Sequence, residues 1–122
     1  MSQFETITLL YQQLVNLADE IRSMIEKEEY NELMLKLNYK EALLLKFSTM
    51  RKNTVFDQEQ QQRIQKIEHV LMEKEGANVR LLESLHSDVA VELKRVNNRL
   101  KVNKAYSGQG NREPGSILNT LE

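Results

Sequence analysis

From Met1 to Glu113 the chain contains no proline, and across that span apolar residues recur at steps of three and four. Proline is the residue least tolerated inside a helix, and the three-four step stacks side chains on one helical face, so the pattern predicts an all-α protein. Only four Gly and a single Pro occur in 122 residues, too few turn formers for a strand-rich architecture. A chain of this length supports one core and one domain.

The first stripe comprises Phe4, Ile7, Leu10, Tyr11, Leu14, Ala18, Ile21 and Ile25, with Gln12, Asn16, Asp19, Glu20 and Arg22 on the wet side. A helix over residues 3–28 would be about 38 Å long. The polar cluster Glu28-Glu29-Tyr30-Asn31 interrupts the register, and a second stripe follows with Leu33, Leu37, Leu44 and Phe47. So short a link predicts that the two helices fold back on each other. At Leu43-Leu44-Leu45 the second helix is apolar over a wider arc than one interface needs, which implies two neighbours; it should end near Met50. Asp57, with Gln60 three positions on, reads as the N-cap of a third helix. Its stripe runs through Ile64, Ile67, Leu71, Val79, Leu82, Leu85, Val89, Leu93 and Val96, interrupted at Lys74-Glu75-Gly76, where a kink or a close helix approach is expected. Asn97-Asn98 would close it, leaving Leu100 to Tyr106 as a short fourth helix capped by Gly108. The expected architecture is therefore an antiparallel bundle of three long helices and a short C-terminal one over residues 1–106, with 107–122 as a flexible tail.

No catalytic constellation accompanies these helices. His69 and His86 are the only side chains with an ordinary neutral-pH base, and neither neighbours a Ser or Thr in a nucleophile motif. His69 and Glu73 offer an i, i+4 pair, two ligands where a structural metal site needs four. The absence of Cys removes thiolate zinc sites and disulfides, and no glycine-rich phosphate loop opens a helix. The expectation is a protein that is not an enzyme and uses no cofactor. Met1-Ser2-Gln3-Phe4-Glu5 has neither the basic segment nor the apolar run of a secretory signal, and no stretch is apolar enough to span a bilayer, so a cytoplasmic location without membrane insertion is expected. Lys94, Arg95, Arg99, Lys101 and Lys104 form a basic run, but a net charge of −1 is unlike a DNA-binding domain. The run is read as a solvated face, or as an intramolecular partner for Glu26, Glu28 and Glu29, in preference to a nucleic-acid surface.

What remains is surplus apolar face, suited to a partner helix, a second copy in a homodimer, or the fourth helix folding over the groove. Beside that face stand Gln12-Gln13-Leu14-Val15 in the first helix, Glu32-Leu33 after Glu28-Glu29-Tyr30, and Ile64, Ile67, Val70-Leu71, Glu75 and Leu81-Leu82 along the third. With the closing Lys104-Ala105-Tyr106-Ser107-Gly108-Gln109-Gly110, similar to an Ala-Tyr-x-x-x-Gly terminus, they resemble the small flagellar type III export chaperones that hold the filament-cap protein, the FliT family. The resemblance implies a chaperone that binds the C-terminal helical segment of the cap protein, prevents its premature assembly and delivers it to the export apparatus. It further implies docking to components of the export ATPase complex and, in some members, repression of flagellar genes by binding the master transcription activator. Carried onto this chain, the partner-binding residues are Ile64, Ile67, Leu71, Val79, Leu82 and Leu85; residues 98–106 form a mobile latch through Leu100, Val102 and Tyr106. Two other readings use the same helices: a coiled-coil dimerisation or scaffold module, and a chaperone of the hook-filament junction proteins.

Overall fold

The computed structural model describes residues 2–108, with side chains through Arg99. Four helices follow one another: α1 (Gln3–Glu26), α2 (Tyr30–Lys52), α3 (Gln58–Leu85) and α4 (Ser87–Gly108). The all-α bundle expected from the apolar rhythm is what forms, and α4, at 22 residues, is the shortest of its helices.

Each boundary has a local cause. Ser2 caps α1 with a capping box completed by Glu5, and Asp57 with Gln60 does the same for α3. The α1–α2 turn is closed by two backbone bonds, Glu29 N–H to the Met24 carbonyl at 2.9 Å and Glu28 N–H to the Ile25 carbonyl at 3.0 Å. That is the Schellman pattern, and it places Glu28 in the left-handed region at φ 55°. Between α2 and α3, Thr54 donates to the Gln3 side chain at 3.3 Å and Phe56 meets Phe4 edge-on at 6.0 Å, tying the link to the start of α1.

The third stripe does not belong to one helix. The chain breaks at His86, whose extended backbone (φ −157°, ψ 92°) separates α3 from α4, so the boundary lies eleven residues before Asn97. Residues 98–106 are accordingly the later part of α4, not a separate helix. The apolar rhythm Leu82, Leu85, Val89, Leu93, Val96 passes through the break without a change of step, because a one-residue turn shifts neither Gly nor Pro into the sequence. His86 holds the corner itself. Its Nδ1 accepts from the Val89 N–H at 3.4 Å in the manner of an N-cap, and its ring stands edge-on to Tyr30 at 4.6 Å. Gly76, where a kink or a close helix approach was expected, lies inside an uninterrupted α3, without the kink.

Cross-helix pairs fix the arrangement. Tyr11–Glu68 and Asp19–Lys74 rise together in number, so α1 and α3 run parallel; Lys40–Asn97 and Tyr30–His86 make α2 and α4 parallel likewise. Glu20–Lys36 and Glu83–Lys94 tie the antiparallel hairpins α1–α2 and α3–α4. Around the bundle the order is α1, α2, α4, α3, and the α2–α3 link crosses the diagonal. The core lies between them, with Ile7, Leu14, Ile21 and Ile25 of α1 facing Leu33, Leu44 and Phe47 of α2, Ile64, Leu71 and Leu82 of α3, and Leu93 and Val96 of α4.

Candidate partner-binding cleft

The buried face of α3 is Ile64, Glu68, Leu71, Glu75, Asn78 and Leu82, a four-three alternation in which half the positions are polar. Each polar member has a partner on another helix. Glu68 accepts from the Tyr11 hydroxyl at 2.6 Å, and the Asn78 amide donates to the Ala18 carbonyl at 3.0 Å. Glu75 accepts through Oε1 from Lys40 Nζ, and Lys40 also donates to Asn97 Oδ1 at 2.5 Å. Lys40 sits at the corresponding core position of α2, between Leu37 and Leu44, and is 1% exposed. The node thus joins diagonal helices through the middle of the bundle, with α4 as the third contributor. Burial pulls the Lys40 ammonium below its ordinary range, and the Glu75 charge opposes that shift.

Next to this node, α3 and α4 part. A cleft of about 480 Å³ is lined by Met72, Glu75, Gly76, Val79 and Arg80 of α3 and by Lys94, Asn97 and Asn98 of α4. Its lining is mainly apolar, with two cations at the lips and two amides along one wall. Glu75 Oε2, buried and without a hydrogen-bond partner among the described residues, is a spare acceptor at this boundary. An amphipathic segment would fit such a surface, with apolar side chains against Met72 and Val79 and an acidic one toward Arg80.

The sequence-predicted residues divide. Ile64, Leu71 and Leu82 are sealed in the core and hold the bundle together. Ile67 and Val79 are half-buried at its edge, Val79 in the cleft, and Leu85 is half exposed beside the His86 corner. The side chains of Leu100, Val102 and Tyr106 lie outside the described residues, as does the chain from residue 109.

Sequence reasoning missed Lys40, Glu75 and Asn97. The signal was present, since Lys40 interrupts Leu33-Leu37-Leu44-Phe47 and Glu75 interrupts Leu71-Leu82 at positions that geometry turns inward. Lys94, Arg95 and Arg99 of the basic run have intramolecular partners, but not the acids expected. Lys94 pairs with Glu83 at 2.6 Å, Arg95 with Glu92 at 3.1 Å and Glu41 at 2.8 Å, and Arg99 with Glu41 at 3.2 Å. Hydrogen bonds from Arg95, with Arg99 adding to them, hold the Glu41 carboxyl below its usual range. His69 meets Glu73 at 2.8 Å on the open face of α3, and among the described residues no group of three or more His, Asp or Glu is placed to hold a metal. No helix of the described residues is long and apolar enough to cross a membrane. No protein-family model, curated protein or solved structure matches the chain.

Proposed function

We propose that this chain is a cytoplasmic flagellar type III export chaperone that lodges the C-terminal helical segment of the filament-cap protein in the α3–α4 cleft. Held there, the segment is kept from assembling before export and is delivered to the export apparatus. The observation that carries the reading is the cleft itself, an open apolar trough with cationic lips in a bundle of this size. The resemblance of the α3 residues and of the segment 104–110 to the cap-protein chaperones supplies the client. Components of the export ATPase complex and the flagellar master transcription activator are the further partners that this reading brings.

The mechanism needs no chemistry beyond burial. A client helix gains roughly 25 cal/mol for each Å² of apolar surface removed from water, less the ordering of its own chain. The later part of α4 acts as the latch, so the apparent affinity falls by the fraction of time the cleft is closed. Among the described side chains, the core residues of α4 are Val89, Ala90, Leu93 and Val96, and all precede Asn98. A chain ending at Asn97 therefore keeps them, and is expected to bind the client more tightly by calorimetry.

Co-expression with flagellar axial proteins tests the assignment. Wild type should retain the C-terminal segment of the cap protein, and Gly76→Leu should lose it by about tenfold or more in affinity. A Cβ at Gly76 meets only the mobile tip of Arg80 at 3.3 Å, and Leu is a good helix former, so this substitution fills the cleft without unseating α3. Retention of hook-filament junction proteins instead would reassign the client. Capture of no axial protein, or full binding by Gly76→Leu, would remove the basis of the proposal.

A further inference from the structure

The Glu75 carboxylate uses only one of its oxygens. Oε1 accepts from Lys40 Nζ, while Oε2 is buried with no hydrogen-bond partner among the described residues, in a residue only 4% exposed. A buried acceptor left without a donor is costly, and native chains keep few of them. Asn97 supplies the opposite polarity. The Lys40 ammonium can only donate, so the atom that meets it at 2.5 Å is the amide oxygen, and the amide NH2 of Asn97 is turned away from it. That NH2 has no partner among the described residues. Glu75 and Asn97 both line the α3–α4 cleft, so the ammonium that holds them together leaves a free acceptor and a free donor at its wall.

Hydrogen-bond polarity selects what can lie against such a pair. A wholly apolar helix face laid in the cleft would shut Oε2 away from any donor, water included. A carboxylate would bring no donor and would set a second negative charge beside Glu75. An ammonium would bring no acceptor for Asn97, and would pass Arg80 and Lys94 at the lips to reach a charge that Lys40 already balances. A primary carboxamide carries both functions at one end, an NH2 for Glu75 Oε2 and a carbonyl for the Asn97 amide. Met72 and Val79 stand three residues before and four residues after Glu75 on the same helix. A docked helix therefore sets its carboxamide mid-cleft, with apolar side chains one turn away on either side.

We propose that the α3–α4 cleft reads one Asn or Gln side chain on the apolar face of the helix it binds, through paired hydrogen bonds to Glu75 Oε2 and the Asn97 amide. The inference rests on the cleft being the client site, and adds the chemistry by which that site tells one amphipathic helix from another. Selection of this kind is strong because the wrong side chain leaves buried polar groups unpaired, whereas a misplaced methyl group costs little.

Calorimetry of the full chain with the C-terminal helical segment of the filament-cap protein tests it, each Asn and Gln of that segment being replaced in turn by Ala and by the matching acid. One position is expected at which Ala weakens binding about tenfold and the acid more strongly still. Glu75→Gln keeps an oxygen for Lys40 and puts a donor where Oε2 was, so against it the acid at that position should bind better than the carboxamide. A residue that merely shapes the cleft would not reverse this preference. Lys40→Met with Glu75→Leu removes the charges together and guards against a fold defect in the single variant; against it, Ala and the carboxamide should bind alike. Circular dichroism checks that each variant remains helical. A segment that binds wild type with every Asn and Gln dispensable, or one order of preference against all three chains, would overturn the inference and leave the cleft as the client site. A segment that does not bind wild type at all would remove both.

Discussion

Tyr11 buries its ring beneath Phe47, edge-on at 4.7 Å, and gives its hydroxyl proton to Glu68. Burial first, and then the Glu68 charge, raise this phenol far above the ordinary value of 10.0. Below pH 10 the folded and unfolded chains both keep the proton, so the contribution is present in full. Above it the unfolded chain releases the proton while the folded one retains it, and stability falls as pH rises. Tyr11→Phe removes that titration but leaves Glu68 buried without its donor, a loss of about 1–3 kcal/mol at neutral pH. Urea unfolding should therefore show the variant less stable at pH 7 and the gap closing above pH 10. A gap of constant size across that range would mean that the phenol titrates as it does in water.

At the scale of elements, the turn between α1 and α2 is where local strain is concentrated. Glu28 occupies the left-handed position at which a Schellman motif ordinarily carries glycine. Glu28→Gly is expected to stabilise the protein by about 0.5–1 kcal/mol, read as a raised urea midpoint with unchanged slope; a lower midpoint would show that the Glu28 side chain contributes more than its backbone loses. The helices were legible because the three-four step is dense, and the α3 start because its capping box is written in Asp57/Gln60. The α3–α4 corner was not, because His86 turns the chain in one residue while the apolar step continues across it. Within the site, Val79 was found through its stripe, but Ile64, Leu71 and Leu82 on the same stripe face inward. Periodicity names a face and not what covers it. Glu75 and Asn97 were passed over because a search for apolar repeats discards a polar residue at a core position.

For the whole molecule the Lys40–Glu75–Asn97 node is the feature that ties the two hairpins together. Lys40→Met would strand a buried carboxylate at a loss of about 3–5 kcal/mol, a large part of the 5–15 kcal/mol typical of a domain. Lys40→Met with Glu75→Leu removes both charges, and is expected to recover wild-type stability or exceed it. Equal destabilisation by the single and the double variant, measured by denaturant unfolding, would show that the site depends on shape and not on charge. The diagonal α2–α3 link has its own consequence for how the native state is reached. Each antiparallel hairpin, α1–α2 and α3–α4, closes over a short loop, whereas every parallel contact joins residues more than fifty positions apart. Hairpins assembled early and docked late make the node a product of the final step, absent at the rate-limiting barrier, so that loosening it quickens unfolding and leaves the speed of folding nearly untouched.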